Sequence, residues 1–118
     1  MFTISPDGII TLSRGDTFEA PLFINSGTRL HPQRYVLKDL DELYFGVMEP
    51  NQLFENAIIR KKYTNNDVND NGDIVIKFSS DDTINLLPGK YYYQAKLKSN
   101  NGADITTIAQ KQLFFIIE

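Results

Sequence analysis

Apolar residues in this chain fall in short alternating runs broken by turn residues, and no stretch repeats at the 3.6-residue helical period. Ile9–Ser13 reads as a first strand after the Pro6-Asp7-Gly8 turn. Thr17–Ile24 reads as a second, with Phe18, Ala20, Leu22 and Ile24 on one face. Pro21 within it calls for a sheet edge or a bulge, because proline cannot donate to a ladder. Asn25-Ser26-Gly27 ends that run. A long connection from Thr28 to Glu42 follows, with a candidate short strand at Tyr35-Val36-Leu37. Leu43–Met48, Ala57–Tyr63 and Asp73–Phe78 are the next strands; Glu49-Pro50-Asn51 stops the first of them, and Ile74, Ile76 and Phe78 face inward in the last. Ser79–Asn85 reads as one helical turn capped by Ser80 or Asp81.

The Leu87-Pro88-Gly89 corner cannot continue a helix or a central strand. Beyond it Tyr91, Tyr93, Ala95 and Leu97 point one way, and Tyr92, Gln94, Lys96 and Lys98 the other. A Pro-Gly corner with a tyrosine pinned beside it, before a late strand, is how immunoglobulin-like sandwiches turn between sheets. Asn101-Gly102 is a hairpin signal. The last strand runs from Asp104 to Ile117 with a kink near Gln110. About seven strands, the count of a constant-type immunoglobulin domain, predict one all-β, antiparallel immunoglobulin-like sandwich over residues 1–118.

Composition narrows the function classes. The chain of 118 residues suits a single domain with its own core. A net charge of -3 gives no support to nucleic-acid binding. The compact basic run Arg60-Lys61-Lys62 alternates faces on a strand and so makes no patch by itself. With no cysteine there is neither a disulfide framework nor a thiolate metal site. The N-terminus lacks a basic start and a long apolar stretch, so a signal peptide is not expected, nor is a membrane span. Folding in a cytoplasm is the expectation.

Several motifs have a chemical and a structural reading. Asp67-Val68-Asn69-Asp70-Asn71-Gly72-Asp73-Ile74 places oxygens and a glycine as a calcium loop does, but its twelfth position is Phe78 instead of a bidentate glutamate. A polar turn with Gly72 at positive φ is the structural reading. Arg14-Gly15-Asp16 spells an integrin tripeptide and equally a turn between two strands. His31 is the only histidine, and catalysis or metal binding would need residues at suitable spacing that the sequence does not point out, so a solvated loop histidine is the structural reading. Tyr91-Tyr92-Tyr93 leaves only Tyr92 for the solvent face, a poor sugar platform. There is no nucleophile elbow, phosphate-binding glycine loop or distinctive carboxylate pair. The expectation is a protein that is not an enzyme, with no cofactor, no metal and no small-molecule substrate.

The final strand points to a partner. Leu113, Phe115 and Ile117 are expected to face the core, yet Phe114 and Ile116 on the opposite face are apolar as well. A strand apolar on both faces is covered on both. The cover is either the N-terminal segment through Phe2 and Ile4 or another subunit. The candidate protein-interface residues are Phe114 and Ile116, with Phe54 and Leu53 from the loop after Pro50, and Tyr92.

Three ordered landmarks carry a family resemblance. Ile9-Ile10-Thr11-Leu12-Ser13-Arg14-Gly15-Asp16-Thr17 resembles the opening of the immunoglobulin-like N-terminal domain of phage baseplate upper proteins and related prophage proteins. Asp82-Thr83 with Leu87-Pro88-Gly89-Lys90-Tyr91-Tyr92-Tyr93 resembles that family's Asp-Thr, Pro-Gly-x-Tyr segment, and Asp104-Ile105-Thr106-Thr107-Ile108 with Leu113-Phe114-Phe115-Ile116 its closing strand. Lys111-Gln112 stands where the family often has a glycine. The resemblance implies a bacteriophage virion component that contacts capsid or tail subunits in many copies, without nucleic acid or membrane. In that family the domain anchors a longer chain bearing a receptor-binding part. This chain ends with the domain, so a small capsid decoration (head auxiliary) protein or an adaptor is expected. A baseplate or tail component, or a carbohydrate-binding adhesin module, is the alternative.

Overall fold

The computed structural model describes residues 2–22, 24, 30–31, 33–99 and 102–118, apart from the side chains of 108–110. The Asn25-Ser26-Gly27 turn and Asn101 lie outside them. The described residues form eight strands: β1 (Phe2–Ile4), β2 (Ile10–Ser13), β3 (Phe18–Leu22), β4 (Glu42–Met48), β5 (Ile59–Thr64), β6 (Ile74–Phe78), β7 (Gly89–Ser99) and β8 (Asp104–Ile117). One helical turn, α1 (Ser80–Thr83), precedes β7. The protein is all-β.

Six strands make one sheet in the order β1-β2-β8-β7-β4-β5, and β3 pairs with β6 in a separate ladder. Every pairing is antiparallel except that of β2 with β8, which is parallel. The β3–β6 ladder covers the inner face of the large sheet. Phe18 and Phe78 from the ladder stand 6.5 and 5.8 Å from the ring of Phe114, and Phe78 stands 5.9 Å from Phe45. Leu12, Leu43, Val47, Ala95 and Phe114 are wholly buried between the layers. Each strand of a two-stranded ladder is an edge, which is why Pro21 fits opposite Val75 in β3.

The partition of strands differs from a constant-type domain, which would set the strands equivalent to β2 and β5 beside the ladder. Here β5 pairs with β4, from Glu42 opposite Thr64 to Val47 opposite Ile59. The two are consecutive in the chain, joined by residues 49–58, and consecutive strands commonly pair. Tyr35-Val36-Leu37 forms no strand. Its contact with the ladder side is the Tyr35 amide donating to the Ile24 carbonyl oxygen at 2.8 Å, and Leu37 is buried. The segment is anchored by a side chain: the buried Asp41 carboxylate accepts from the Tyr35 hydroxyl and, at 2.9 Å, from the Lys38 amide.

The helical turn forms one residue earlier than its cap signal suggested. Ser79 is the cap, and Asp82 closes the reciprocal box by accepting from the Ser79 amide at 2.8 Å. Asp82 also pairs with Lys61 of β5 at 2.8 Å, tying the turn to the edge of the large sheet. Burial acts to raise its carboxyl, but the Lys61 and Ser79 contacts outweigh that and hold it below the usual carboxylate range. Thr83 is fully buried, and its Oγ1 accepts the Gly15 amide at 2.9 Å.

The expected faces of the last strand are inverted. Phe114 and Ile116 lie in the core, at 0% and 1% exposure, whereas Ile117 is 47% exposed and Leu113 and Phe115 are half-buried on the outer face. Phe114 sits opposite Tyr91 on one side and Ile10 on the other, and Ile116 sits beside Leu12. Residues paired across a ladder share a face, so the inward Tyr91, Ile10 and Leu12 pull Phe114 and Ile116 inward. The β7–β8 register also slips between Tyr93 and Lys96, so β8 carries extra residues in the stretch where a kink was expected.

Candidate interaction surface

Each sequence motif has a local structural role. The Arg14-Gly15-Asp16 segment is a turn: Gly15 has φ +81°, the Asp16 amide donates to Ser13 at 3.0 Å, and Arg14 pairs with Glu118 at 3.0 Å. A Cβ on Gly15 would lie 2.6 Å from Ile84, so the turn is clamped against α1. In the acidic loop, the Asn69 side-chain oxygen accepts from the amides of Asn71 and Asp73 at 2.9 and 3.0 Å. Asp67 caps the preceding turn by accepting from the Thr64 amide, and Asp73 pairs with Arg34 at 2.9 Å. Gly72 has φ +83°. Asp67 and Asn69 thus bond amides of the loop itself, and among the described residues no group of three or more His, Asp or Glu side chains could hold a metal ion. His31 is exposed. No helix of the described residues is long and apolar enough to cross a membrane.

Of the five candidate interface residues, three reach the surface: Leu53, Phe54 and Tyr92. Tyr92 lies on the outer face of β7 between two lysines, with the Lys111 and Lys90 ammonium groups 4.8 and 5.7 Å from its ring. It pairs with Leu113 across the ladder, so Tyr92, Leu113 and Phe115 share the outer surface. The N-terminal segment, one of the two covers considered for β8, does not lie over them. β1 pairs with β2 and extends the sheet sideways, and Phe2 packs on Phe18 at 4.7 Å on the inner side.

Phe54 occupies a distinct place. It lies in a 3-10 turn, residues 54–56, folded onto β4 where Gly46 leaves room: a Cβ there would stand 3.1 Å from both Phe54 and Ala57. Lys96 reaches over the exposed side of the Phe54 ring, 4.9 Å from its centroid. Arg60 is held by the carbonyl oxygens of Glu55 and Ala57, the latter at 3.3 Å. Tyr44 is paired with Lys62 on one side and Lys96 on the other. Lys62 pairs with Glu42 at 2.6 Å, which lowers the Glu42 carboxyl and raises the Lys62 ammonium from their ordinary values. The result is a groove of about 520 Å³ on the outer face of β5, β4 and β7.

Sequence reasoning separated Arg60 from Lys61 by their alternation; Lys61 reaches Asp82, but Arg60, Lys61 and Lys62 all border the groove. It did not see that β4 would bring Lys96 and Lys98 of a strand over thirty residues later alongside them. The available signal was the polar face of the strand after the Pro-Gly corner, whose lysines recur with period two.

Among known proteins the chain matches no family model, no curated sequence and no solved structure.

Proposed function

We propose that this protein is a non-enzymatic structural component of a bacteriophage virion, an immunoglobulin-like β-sandwich that docks on other virion subunits as a capsid decoration or adaptor protein. The observation that carries the reading is the outer row of β8. This strand lies inside the six-stranded sheet, yet Leu113, Phe115 and Ile117 point away from the core, beside Tyr92. An internal strand with apolar side chains on both faces fits a surface that another subunit covers. The landmark resemblance supplies the class of partner.

Three geometric features support the immunoglobulin-like part of the reading. β2 and β8 pair in parallel, β3 and β6 form the opposing ladder, and the Tyr91 hydroxyl donates to the Leu87 carbonyl oxygen at 2.6 Å. The last is the geometry of a tyrosine corner, in which a strand tyrosine ties back to backbone just upstream.

The test is recovery of the tagged protein with density-banded phage particles, with immunogold labelling to assign head or tail. Capsid labelling is the expected result. Labelling at the tail tip would favour the baseplate alternative. Absence from particles, together with saturable binding on a glycan array, would replace the reading with that of a carbohydrate-binding module. The paired substitution Phe115→Ser and Ile117→Ser should leave a folded monomer that no longer joins particles.

A further inference from the structure

We propose that the groove across β5, β4 and β7 is a binding site for a short acidic polypeptide segment carrying an apolar side chain. This goes beyond the virion reading and stands or falls without it. The site has an aromatic floor, Phe54 and Tyr44, and a cationic rim, Arg60, Lys62, Lys96 and Lys98. Its size of about 520 Å³ suits a few side chains. The cations come from two strands and converge because β4 lies between them.

Charge complementarity selects the occupant. The chain has 12 Lys and Arg against 15 Asp and Glu. The groove lining holds five of the cations; Lys61 is paired with Asp82, and Glu42 and Glu55 stand beside the others, a local excess of two positive charges. The rest of the chain therefore has seven cations for twelve carboxylates, an excess of five negative charges. A long polyanion such as nucleic acid would meet that opposing field as soon as it left the groove. A segment of a few acidic residues stays within about one Debye length of the rim and feels mainly the local attraction.

The rim is also pre-arranged. Two carbonyl oxygens fix Arg60, and Phe54 lies under Lys96 in the notch that Gly46 provides. Arg60 and Lys96 therefore have less side-chain freedom to lose on binding, which favours affinity. An apolar side chain between acidic neighbours would rest on Phe54 and Tyr44 while the carboxylates reached the cations.

The probe is a fluorescein-labelled peptide of six glutamates around one central phenylalanine, followed by anisotropy at roughly 20 mM and roughly 150 mM salt. The expected result is saturable binding that weakens with salt. Lys96→Glu with Lys98→Glu should weaken it by about tenfold or more. Lys90→Glu with Lys111→Glu, which changes charges beside Tyr92 on the same face, should leave it within about twofold. Should the first pair fail to fold by circular dichroism, Lys96→Gln with Lys98→Gln gives the same comparison without charge reversal. Replacing the central phenylalanine by alanine should also weaken binding. No saturable binding at low salt, equal losses in both lysine pairs, or no effect of the phenylalanine would overturn the proposal. So would tighter binding of a single-stranded oligonucleotide that the same groove variant abolishes, which would assign the site to nucleic acid instead.

Discussion

The hydroxyl of Tyr91 donates to the carbonyl oxygen of Leu87 at 2.6 Å, so the strand that leaves the Pro88-Gly89 corner also locks the corner shut. Burial, and then the charge of Glu49, raise the Tyr91 phenol above its ordinary value and keep it a donor. Tyr91→Phe retains the ring packed on the core and loses only this bond. The expected cost is about 1 kcal/mol, a fall in Tm of roughly 4 °C. A melting curve unchanged within error would mean that the corner is held by packing alone.

The Thr83–Gly15 contact joins segments 68 residues apart. Thr83→Val keeps the shape of a fully buried side chain but strips the acceptor from the Gly15 amide. Stability should fall by about 1–3 kcal/mol in urea unfolding, while Thr83→Ser should recover most of it. Gly15→Ala should be worse than either, because its φ is +81° and the new Cβ would meet Ile84 at 2.6 Å.

Neighbouring phenylalanines on β8 should behave oppositely. Phe114→Ala opens a cavity among Phe18, Phe78 and Tyr93 and should cost about 3–5 kcal/mol. Phe115→Ala, on the outer face, should cost about 1 kcal/mol or less. Chemical denaturation of the two variants side by side checks the assignment of faces, and a costlier Phe115 substitution would reverse it.

Tyr35 should set a limit on stability in alkali. Its phenol is pushed up to about 12 by burial, by its hydrogen bond to Asp41 and by the charge of that carboxylate. The folded state thus favours the protonated phenol. Its contribution is complete below pH 10, the ordinary phenol value, and is lost as pH rises from there towards 12. Absorbance titration near 295 nm should show late-ionising tyrosines, Tyr91 and Tyr93 among them, and Tyr35→Phe should remove one of them. Tyr35→Phe should flatten the decline in Tm across that window, and an unaltered slope would show that Tyr35 does not set it.

The sequence by itself determined where the chain could extend and where it had to turn. Alternation located β3, β4, β6 and β7 and put Phe18, Ala20, Ile74, Ile76, Phe78, Tyr91 and Leu97 inside, because a strand with one buried face has a fixed period of two. Gly72 and Gly15 were legible as turn residues for the same local reason: their positive φ is a property of a few bonds. Phe114 and Phe115 had no such local answer. Both faces of β8 are apolar, so alternation could not discriminate between them; the expected inward row of Leu113, Phe115 and Ile117 was the wrong one, and pairing with Tyr91 and Ile10 decided it. The groove was hidden for a related reason. Arg60 and Lys62 are one strand's residues and Lys96 and Lys98 another's, and charge becomes a patch only when long-range register sets β5 and β7 on either side of β4. Local chemistry fixes a residue's conformation and period; which distant residue stands beside it is decided by burying the whole core at once.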